Sequence, residues 1–447
     1  MDFKGKNVLI MGLGIQGGGV GVARFFAQKG AKVTVTDLKS EDELLPSISS
    51  LADFPITYIL GKHRADDFKN ADLIIRNPDV SFDSPYLKIA RENEIPVEMD
   101  ESLFLKLCPT RENVIGVTGT RGKTTVTLLI GAILQKAGYH TLLGGNLRGI
   151  ATLSLLDKIS SESKVVLELS SWQLQGLGWS KISPHIAVIT NIFPDHLNRY
   201  KTMDDYIKDK KIIFAYQNYH DFLILNQENG ITKELARYTK SKTVWFNKKF
   251  IPQKLIDVFR LKGDHNLENL AAAYQVAKIL EIDDIKIIDA IRNFSGVNFR
   301  LEEVANLDGV TYVNDTTSTM PEATIAALKT YESKSIILIA GGSSKNLKVE
   351  ELSKEIIKRV KALVLLDGTG TDELVSSIKY KVSSIKILGK FSDVKQAILA
   401  AKGYAKKGDT ILFSPGFTSF GMFKNEFDRG EQFNEIIKQV INKNKTI

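Results

Sequence analysis

The sequence predicts an α/β protein of three domains, and three observations lead to that expectation. The chain has 447 residues, which at roughly 150 residues per domain corresponds to about three domains. Apolar strand-like runs alternate with helix-like segments, a pattern typical of crossover units and parallel sheets. Two glycine-rich loops each follow a strand-like run and precede a helical one. We place the domains at residues 1–109, 110–297 and 298–447.

The first domain carries the first glycine-rich loop. We expect strands at residues 8–11, 32–36 and 72–75, and a helix over 20–29. The loop Gly12-Leu13-Gly14-Ile15-Gln16-Gly17 lies between the first strand and the helix, and Asp37 ends the second strand. Such glycines let the backbone approach a phosphate, and an acidic residue at this distance reaches a ribose or base. The pattern predicts a Rossmann-like nucleotide-binding domain, for which NAD is the default ligand.

The second domain begins at the polar segment 108–113, after which residues 114–117 form a strand-like run. The loop that follows is Thr118-Gly119-Thr120-Arg121-Gly122-Lys123-Thr124-Thr125. Its backbone N–H groups suit phosphates, the Lys123 amine suits β/γ oxygens and the Thr124 hydroxyl suits Mg²⁺. Val117 stands where the strict P-loop pattern has Gly. We therefore predict ATP binding by a variant P-loop, on a parallel or mixed sheet.

Two further segments leave strands of this domain. Glu168 ends the buried run 165–169, and a lone buried carboxylate seldom lacks a partner. A metal ion is one such partner, and a salt bridge in the core is the alternative. Asp195-His196 follows the run 186–190, where we expect a γ-phosphate and its metal. We predict ligand or general-base roles there, although a lone histidine is more often structural.

The third domain follows the glycine-containing turn 294–297. Strand-like runs at 311–314, 335–342, 362–366 and 410–413 alternate with helical patterns, which predicts another Rossmann-like α/β unit.

The amino-acid composition indicates which classes of binding partner and which cellular compartment to expect. The chain has 60 Lys and Arg against 52 Asp and Glu, a modest net charge of +8, and its basic runs lack interleaved aromatics. We expect no nucleic acid partner. No apolar run reaches the roughly 18 residues of a membrane span, and we expect neither a signal peptide nor a membrane partner. Cys108 is the single cysteine, which fits a reducing, cytoplasmic location.

Taken together, the motifs resemble the Mur ligase family, the ATP-dependent amide ligases of peptidoglycan precursor synthesis, and most closely its MurD type. The similarity spans nearly the whole chain. Besides the P-loop, it rests on the segments 169–174, 191–196, 263–269, 414–416 and 429–430, which occur in the family's order.

The resemblance implies a reaction through an acyl phosphate. ATP would phosphorylate the terminal carboxylate of UDP-N-acetylmuramoyl-L-alanine, and the amine of glutamate would displace the phosphate. Two Mg²⁺ ions would offset the charge of the transition state. The expected partners are these small molecules, with a monomer as the favoured state.

The resemblance also assigns residues to ATP and metal. It implies catalytic roles for Lys123, His196 and Lys210, with Lys210 carbamylated by CO₂ and Lys211 as its competitor. The implied metal residues are Thr124, Glu168, His196 and the Lys210 carbamate. The implied ATP contacts are Gly119, Thr120, Arg121, Gly122, Lys123, Thr124, Thr125, Asn269, Arg300 and Asp315.

For the other substrates, the first glycine loop would hold UDP rather than NAD. The implied residues are Gly14, Ile15, Gln16, Asp37 and Asn146. Glutamate would contact Thr319, Lys345, Ser419 and Phe420, because an ammonium and hydroxyls suit a dicarboxylate.

Five positions depart from the family pattern. Arg121 stands for the usual Asn, Asn198 for Asp, Phe299 for the frequent His and Thr317 for Lys, and Glu426 stands where many members have Phe. These departures leave the choice between D- and L-glutamate open. Folylpolyglutamate synthases resemble the central and last segments alone, and the Asp-Asn-Pro-Arg signature of the diaminopimelate ligases does not occur. An NAD-dependent oxidoreductase and a nucleotide-binding module remain the alternatives of another class.

Overall fold

The computed structural model describes residues 2–15, 17–147, 150–195, 200–344, 347–379, 385–419 and 421–444. These residues form three β-sheets with helices packed against them. The chain divides into two compact units. The first unit comprises residues 1–260 and 264–294 and contains two sheets, and the second comprises 261–263 and 295–447 and contains one. The predicted α/β class with three sheet-based domains is therefore confirmed, whereas the domain boundaries themselves stay predictions.

Five parallel strands form the first sheet. They are β1 (Asn7–Met11), β2 (Lys32–Asp37), β3 (Ile56–Leu60), β4 (Leu73–Arg76) and β5 (Val97–Glu98). The helices are α1 (Gly18–Gln28), α2 (Glu41–Ser49), α3 (Ala65–Lys69), α4 (Pro85–Glu92) and α5 (Asp100–Leu107). The strand order β3-β2-β1-β4-β5 reverses at β1. In such sheets ligands bind beyond the carboxyl ends of the strands at the reversal, and the first glycine loop lies there.

The second sheet has six parallel strands, the order β11-β10-β9-β6-β8-β7 and a reversal at β6. The strands are β6 (Val114–Thr118), β7 (Thr141–Gly145), β8 (Lys164–Glu168), β9 (Ile186–Ile189), β10 (Phe222–Asn226) and β11 (Lys242–Phe246). The helices are α6 (Lys123–Lys136), α7 (Ser171–Trp179), α8 (Met203–Ala215), α9 (Gly230–Leu235), α10 (Gln253–Ile256), α11 (Asp264–Ile279) and α12 (Asp284–Arg292).

The third sheet is mixed. Its strands are β12 (Glu302–Leu307), β13 (Val310–Asn314), β14 (Ile336–Gly341), β15 (Val360–Leu366), β16 (Lys386–Phe391) and β17 (Thr410–Phe413). The helices are α13 (Pro321–Thr330), α14 (Glu350–Arg359), α15 (Thr369–Lys379), α16 (Val394–Tyr404) and α17 (Glu426–Asn444). The order is β12-β13-β17-β14-β15-β16, and β12 pairs antiparallel with β13. An Asp308-Gly309 turn joins these two strands, with both residues at positive φ, as a tight hairpin requires.

Apolar packing explains why the predicted strands form. The central strands β1, β6, β9 and β14 are buried on both faces because helices cover each sheet, and they are rich in Val, Ile and Leu. One continuous core joins the first two sheets, and two cores lie on either face of the third. Across the described residues, no helix combines the length and hydropathy needed to cross a membrane.

Candidate active site

The P-loop connects the buried strand β6 to helix α6. Gly119 and Gly122 both have positive φ, +147° and +83°, which side chains other than glycine rarely adopt. Gly122 is the N-cap of α6, so the N-terminal N–H groups of a 14-residue helix follow it. An exposed helix N-terminus carries partial positive charge and unpaired donors. The geometry therefore suits the phosphates that the sequence motif predicts.

The segment after β9 holds this loop by hydrogen bonds. Thr120 N donates to Asn191 O over 2.8 Å, and Arg121 N donates to Asn191 Oδ1 over 2.9 Å. Thr190 Oγ1 donates to Arg121 O over 2.6 Å. The Arg121 side chain itself is exposed. The loop thus depends on the backbone of Arg121, which any residue supplies, and not on its side chain.

Asn269 lies directly against the P-loop. It is a buried residue of α11, and a Cβ added to Gly122 would clash with its Oδ1. Asn269 Nδ2 donates to Asn266 Oδ1 over 3.2 Å, which fixes the orientation of the amide. The predicted nucleotide contact is thus brought to the loop from a distant part of the sequence.

Lys210 lies on the other side of the loop. Its side chain is 2% exposed, and its Nζ donates to Thr118 Oγ1 over 3.0 Å and to Gly119 O over 2.9 Å. Burial, together with the nearby Lys123 ammonium, holds the pKa of Lys210 well below its usual range. A neutral amine is the form that reacts with CO₂.

The competitor Lys211 has different surroundings. It is partly exposed, and its Nζ lies 3.6 Å from the centroid of the Tyr238 ring. This cation–π contact directs Lys211 toward a largely exposed aromatic side chain. The two adjacent lysines therefore point to different environments.

Glu168 is a buried carboxylate on the strand next to the one that leads into the P-loop. It is 3% exposed at the end of β8, and its Oε1 accepts a hydrogen bond from Asn146 Nδ2 over 3.3 Å. Its Oε2 is buried and has no hydrogen-bond partner within the described part of the chain. A buried carboxylate oxygen without a donor is costly, and a hard cation compensates for it. The nearby Asp195 and Lys210 belong to the same charged cluster, because both Glu168 and Asp195 act on the pKa of Lys210.

Asp37 organises the first glycine loop. Its Oδ2 accepts hydrogen bonds from Leu13 N and Gly14 N over 2.8 and 3.2 Å, and its Oδ1 accepts one from Lys39 N over 2.9 Å. Gly14 has φ +64°, and Ile15 is 66% exposed at the tip of the loop. The carboxylate therefore fixes the loop backbone, in addition to any contact with a ligand.

In the second unit, the loops after β13 and β17 lie side by side. Gly416 N donates to Ser318 O over 2.9 Å, so the half-buried Thr319 and the buried Ser419 belong to neighbouring loops. Ser343 and Thr418 pair as an isolated antiparallel bridge, which brings the loop after β14 to the same edge. Three segments predicted to bind glutamate therefore meet at the carboxyl edge of this sheet.

Asp315 is buried beneath these loops. Its Oδ2 accepts hydrogen bonds from Ser318 Oγ and Ser414 Oγ, each over 2.6 Å, and burial raises its pKa to about 6. The positive charge of the exposed Arg300 acts in the opposite direction. Both oxygens of Asp315 thus accept internal hydrogen bonds, since Leu301 N donates to the other one.

Sequence reasoning did not single out two buried residues at these sites. Tyr206 lies on α8, its OH is 3.1 Å from Thr120 Oγ1, and its ring packs beside the Lys210 amine. Arg429 donates to Thr316 O over 2.7 Å and to Phe417 O over 3.3 Å, which ties the loops of the second unit together. In the sequence, Arg429 is recognised only as part of the segment 429–430. The predicted residues Gln16, His196, Lys345 and Phe420 lie outside the described residues, as does Asn198.

Three family models match the chain in succession. Residues 6–98 match the Mur ligase MurD-like N-terminal domain, 117–277 the Mur ligase middle domain and 299–417 the Mur ligase glutamate ligase domain. Two curated relatives are each called UDP-N-acetylmuramoylalanine--D-glutamate ligase. The protein of Roseiflexus sp. (strain RS-1) is 44% identical over 98% of this chain and 99% of its own length. That of Borreliella afzelii (strain PKo) is 39% identical over 98% of each chain.

The chain belongs to the Mur ligase family. Solved structures show the shared fold. The UDP-N-acetylmuramate-alanine ligase of Thermotoga maritima aligns with a TM-score of 0.61 and 19% identity, over 97% of this chain and all of that one. A pseudomurein peptide ligase type C from Methanothermus fervidus aligns with a TM-score of 0.54 and 21% identity over the same shares. The resemblance found in the motifs is therefore confirmed for the family.

Two departures from the Mur ligase pattern contact each other. Thr317 Oγ1 and Thr317 N both donate to Phe299 O, over 2.8 and 3.1 Å. Phe299 has φ +64°, and its ring packs against Gly430, where a Cβ would stand 2.5 Å from the ring. Glu426, a third departure, begins α17, and its negative charge acts to raise the pKa of Arg429. In this Mur ligase, Thr317 is therefore hydrogen-bonded to Phe299, and Phe299 packs against α17, the helix that Glu426 begins.

Proposed function

We propose that this Mur ligase is an ATP-dependent enzyme that joins D-glutamate to UDP-N-acetylmuramoyl-L-alanine. The observation that carries the proposal is the buried Lys210 amine hydrogen-bonded to the P-loop strand and loop, with Glu168 in the same charged cluster. This arrangement suits phosphoryl transfer. An NAD-dependent oxidoreductase would need the first glycine-rich loop but not the P-loop. The curated relatives, which are 35–44% identical and called D-glutamate ligases, support the choice of substrates.

The reaction has two steps in which atoms and charges balance. A carboxylate oxygen of the UDP substrate attacks the γ-phosphorus of ATP, and ADP leaves with the bridging oxygen. The resulting acyl phosphate has an electrophilic carbonyl carbon and a good leaving group. The neutral amine of glutamate then attacks that carbon, phosphate departs with its electron pair, and the nitrogen releases a proton to solvent to give the amide.

The P-loop residues hold and orient the phosphates. Thr120 N and Arg121 N donate to Asn191, so the phosphates would be bound by the N–H groups at the N-terminus of α6, which follows Gly122. Lys123 Nζ donates to Thr120 O over 3.1 Å, so its ammonium already lies over the loop. The hydroxyls of Thr124 and Thr125 begin the same helix. The Lys123 ammonium at this point stabilises the negative charge that develops on the oxygens of the transferred phosphoryl group.

Glu168, Thr124 and His196 are the residues that would hold Mg²⁺. The unpartnered buried Oε2 of Glu168 fits a hard cation that prefers oxygen ligands. Bound Mg²⁺ would neutralise phosphate charge during transfer. A second ion is part of the proposal, supported by a Lys210 carbamate.

The carbamate would form on Lys210 rather than Lys211. The neutral Lys210 amine attacks the carbon of CO₂ and loses a proton, which converts a buried amine into a carboxylate. The lowered pKa of Lys210 and its burial support this choice. Lys211, the alternative site for the carbamate, instead contacts the ring of Tyr238.

The remaining proposed substrate contacts lie in both compact units. We assign UDP to the first glycine loop, with Gly14, Ile15, Gln16, Asp37 and Asn146. We assign Arg300 and Asp315 to the nucleotide, and glutamate to Thr319, Lys345, Ser419 and Phe420. A cytoplasmic, monomeric enzyme with small-molecule partners completes the proposal, and the single Cys108 agrees with that compartment.

The test follows phosphate release with purified protein, ATP, Mg²⁺ and UDP-N-acetylmuramoyl-L-alanine. D-Glutamate and L-glutamate are added in parallel, and mass analysis identifies the product. We expect phosphate and amide with D-glutamate. Product with L-glutamate alone would overturn the stereochemistry, and NAD binding without phosphate release would favour an oxidoreductase. Lys123→Ala should abolish turnover, whereas Lys136→Ala, an exposed lysine at the other end of α6, should not.

A further inference from the structure

We propose that Arg76, Gln175, Asp209 and Tyr200 form a positioning relay, in which Asp209 sets the direction of the Lys210 amine. The relay is a chain of hydrogen bonds that joins the first sheet to the metal side of the P-loop. This inference rests on the proposed function, since it concerns the residue that would carry the carbamate. Asp209 is a positioning residue because it acts through its neighbour on α8.

The contacts of the relay are continuous. Arg76 NH2 donates to Gln175 Oε1 over 3.0 Å, and Gln175 Nε2 donates to Asp209 Oδ2 over 2.7 Å. Tyr200 OH donates to the same Asp209 oxygen over 2.9 Å. One carboxylate oxygen therefore receives two hydrogen bonds from two different segments. Because each donor arrives from a separate element, the carboxylate cannot move without breaking one of these bonds.

Burial strengthens the relay. Arg76 is 1% exposed, and burial lowers its pKa to about 10, while the negative charge of Asp209 opposes this effect. Burial raises the pKa of Asp209, and the hydrogen bonds from Gln175 and Tyr200 and the charges of Arg76 and Lys208 counter this effect. Hydrogen bonds in such a low-dielectric region are strong and specify one geometry.

Because Asp209 and Lys210 are adjacent on α8, holding the Asp209 carboxylate in place also determines where the Lys210 side chain points. Successive residues of a helix point about 100° apart, so Asp209 faces α7 while Lys210 faces the P-loop. Any rotation of α8 that released Asp209 would swing Lys210 through the same angle. Tyr206, one turn earlier, packs its ring against Tyr200 with centroids 5.3 Å apart. Asp209 and Tyr200 together therefore lock the rotation of the helix.

The ends of the relay lie at two predicted substrate sites. Arg76 is the last residue of β4, paired with Met11 just before the first glycine loop, and its NH1 donates to Val80 O over 2.9 Å. Val80 and Asn77 pack against Gly12. Tyr200 follows the segment that contains His196. The relay thus spans the distance from the UDP loop to the residues proposed to surround the metal.

The experiment measures the carbamate directly. The parent protein and its variants are equilibrated with ¹³C-bicarbonate, and the carbamate signal is recorded by NMR, with Lys210→Ala as the assignment control. Asp209→Ala should lower the signal at least threefold. Gln175→Ala leaves Asp209 and α8 intact, and it should also lower the carbamate signal. Asp209→Asn should retain more signal than Asp209→Ala, because its amide oxygen still accepts both hydrogen bonds.

A matched control and a kinetic readout separate this role from simple stability. Asp204→Ala removes an exposed carboxylate from the same helix and should leave the signal unchanged. In phosphate-release assays, Asp209→Ala should lower kcat at least tenfold with KM for ATP within threefold. A folded Asp209→Ala or Gln175→Ala protein with the full signal overturns the inference. A parent that ligates D-glutamate without any carbamate signal also overturns it, whereas a parent without ligation overturns the proposed function.

Discussion

Asn269 occupies the space that a side chain on Gly122 would need. Gly122 has φ +83° at the N-cap of α6, and a Cβ there would clash with the Asn269 carboxamide oxygen. The close approach brings an amide of α11 to the N-terminus of α6. Glycine at this position therefore serves both the left-handed backbone and the neighbouring side chain.

Gly122→Ala should weaken ATP binding by at least tenfold, because it strains the backbone and displaces Asn269. Gly138→Ala is the matched control. Gly138 also has a left-handed φ, +93°, but no described atom lies within 4 Å of its added Cβ. Both variants should lose about 1 kcal/mol of stability from backbone strain. Titration calorimetry with ATP would contradict this account if the two variants bound ATP equally well.

Lys210 and Lys211 should separate cleanly in function. Lys210→Ala removes the buried amine at the P-loop and should lower D-glutamate-dependent phosphate release at least 100-fold. Lys211→Ala removes a cation–π contact with Tyr238 and should change the rate less than threefold. Steady-state rates at saturating bicarbonate provide the comparison. A large loss in Lys211→Ala with an active Lys210→Ala would reverse the assignment of the carbamate.

Glu168→Gln should separate metal binding from stability. The substitution keeps the shape and the oxygen that accepts from Asn146 but removes the charge, so the Mg²⁺ concentration needed for half-maximal activity should rise at least tenfold. The melting temperature without Mg²⁺ should not fall, since Oε2 has no described hydrogen-bond partner to lose.

Glu98→Gln provides the control for Glu168. Glu98 is also buried, but Lys106, Ser102 and Ser180 all donate to it. We expect a lower melting temperature with an unchanged Mg²⁺ requirement. If both variants lost stability and kept their response to Mg²⁺, Glu168 would be an ordinary core carboxylate.

The sequence specified the strands that carry the nucleotide loops because those strands are buried on both faces. The expected strands at residues 8–11 and 114–117 correspond to β1 and β6 almost residue for residue. Short continuous runs of Val, Ile and Leu between glycine-rich turns are typical of buried strands and of few other structures. The loops at their carboxyl ends follow from the same pattern.

Other elements lacked such a signal. Strand β12 is amphipathic and partly exposed, and its antiparallel pairing was not predicted, although the Asp308-Gly309 turn was available as a hairpin signal. The relay from Arg76 to Asp209 could not be predicted, because Arg76 and Gln175 are 99 residues apart and each looks like an ordinary surface residue in its own segment. Contacts of this kind arise from the packing of two sheets, which local pattern does not encode.

Glu101 should make stability depend on pH. It is buried beside Asp100, and burial raises its pKa to about 8, although Gln173 Nε2 donates to its Oε1 over 2.6 Å. In the unfolded chain this carboxyl ionises near its ordinary pKa of about 4.3. Between these two values the unfolded state binds fewer protons than the folded state, so stability falls as pH rises, by about 1 kcal/mol per pH unit.

Glu101→Gln removes this proton uptake while its amide oxygen still accepts from Gln173. We expect the variant to melt at a higher temperature than the parent at pH 8, with the difference shrinking toward pH 5. The exposed Glu112→Gln serves as control and should follow the parent throughout. Melting curves at half-unit intervals from pH 5 to 8.5 provide the comparison. Parallel curves for Glu101→Gln and the parent would mean that Glu101 is already ionised in the folded protein.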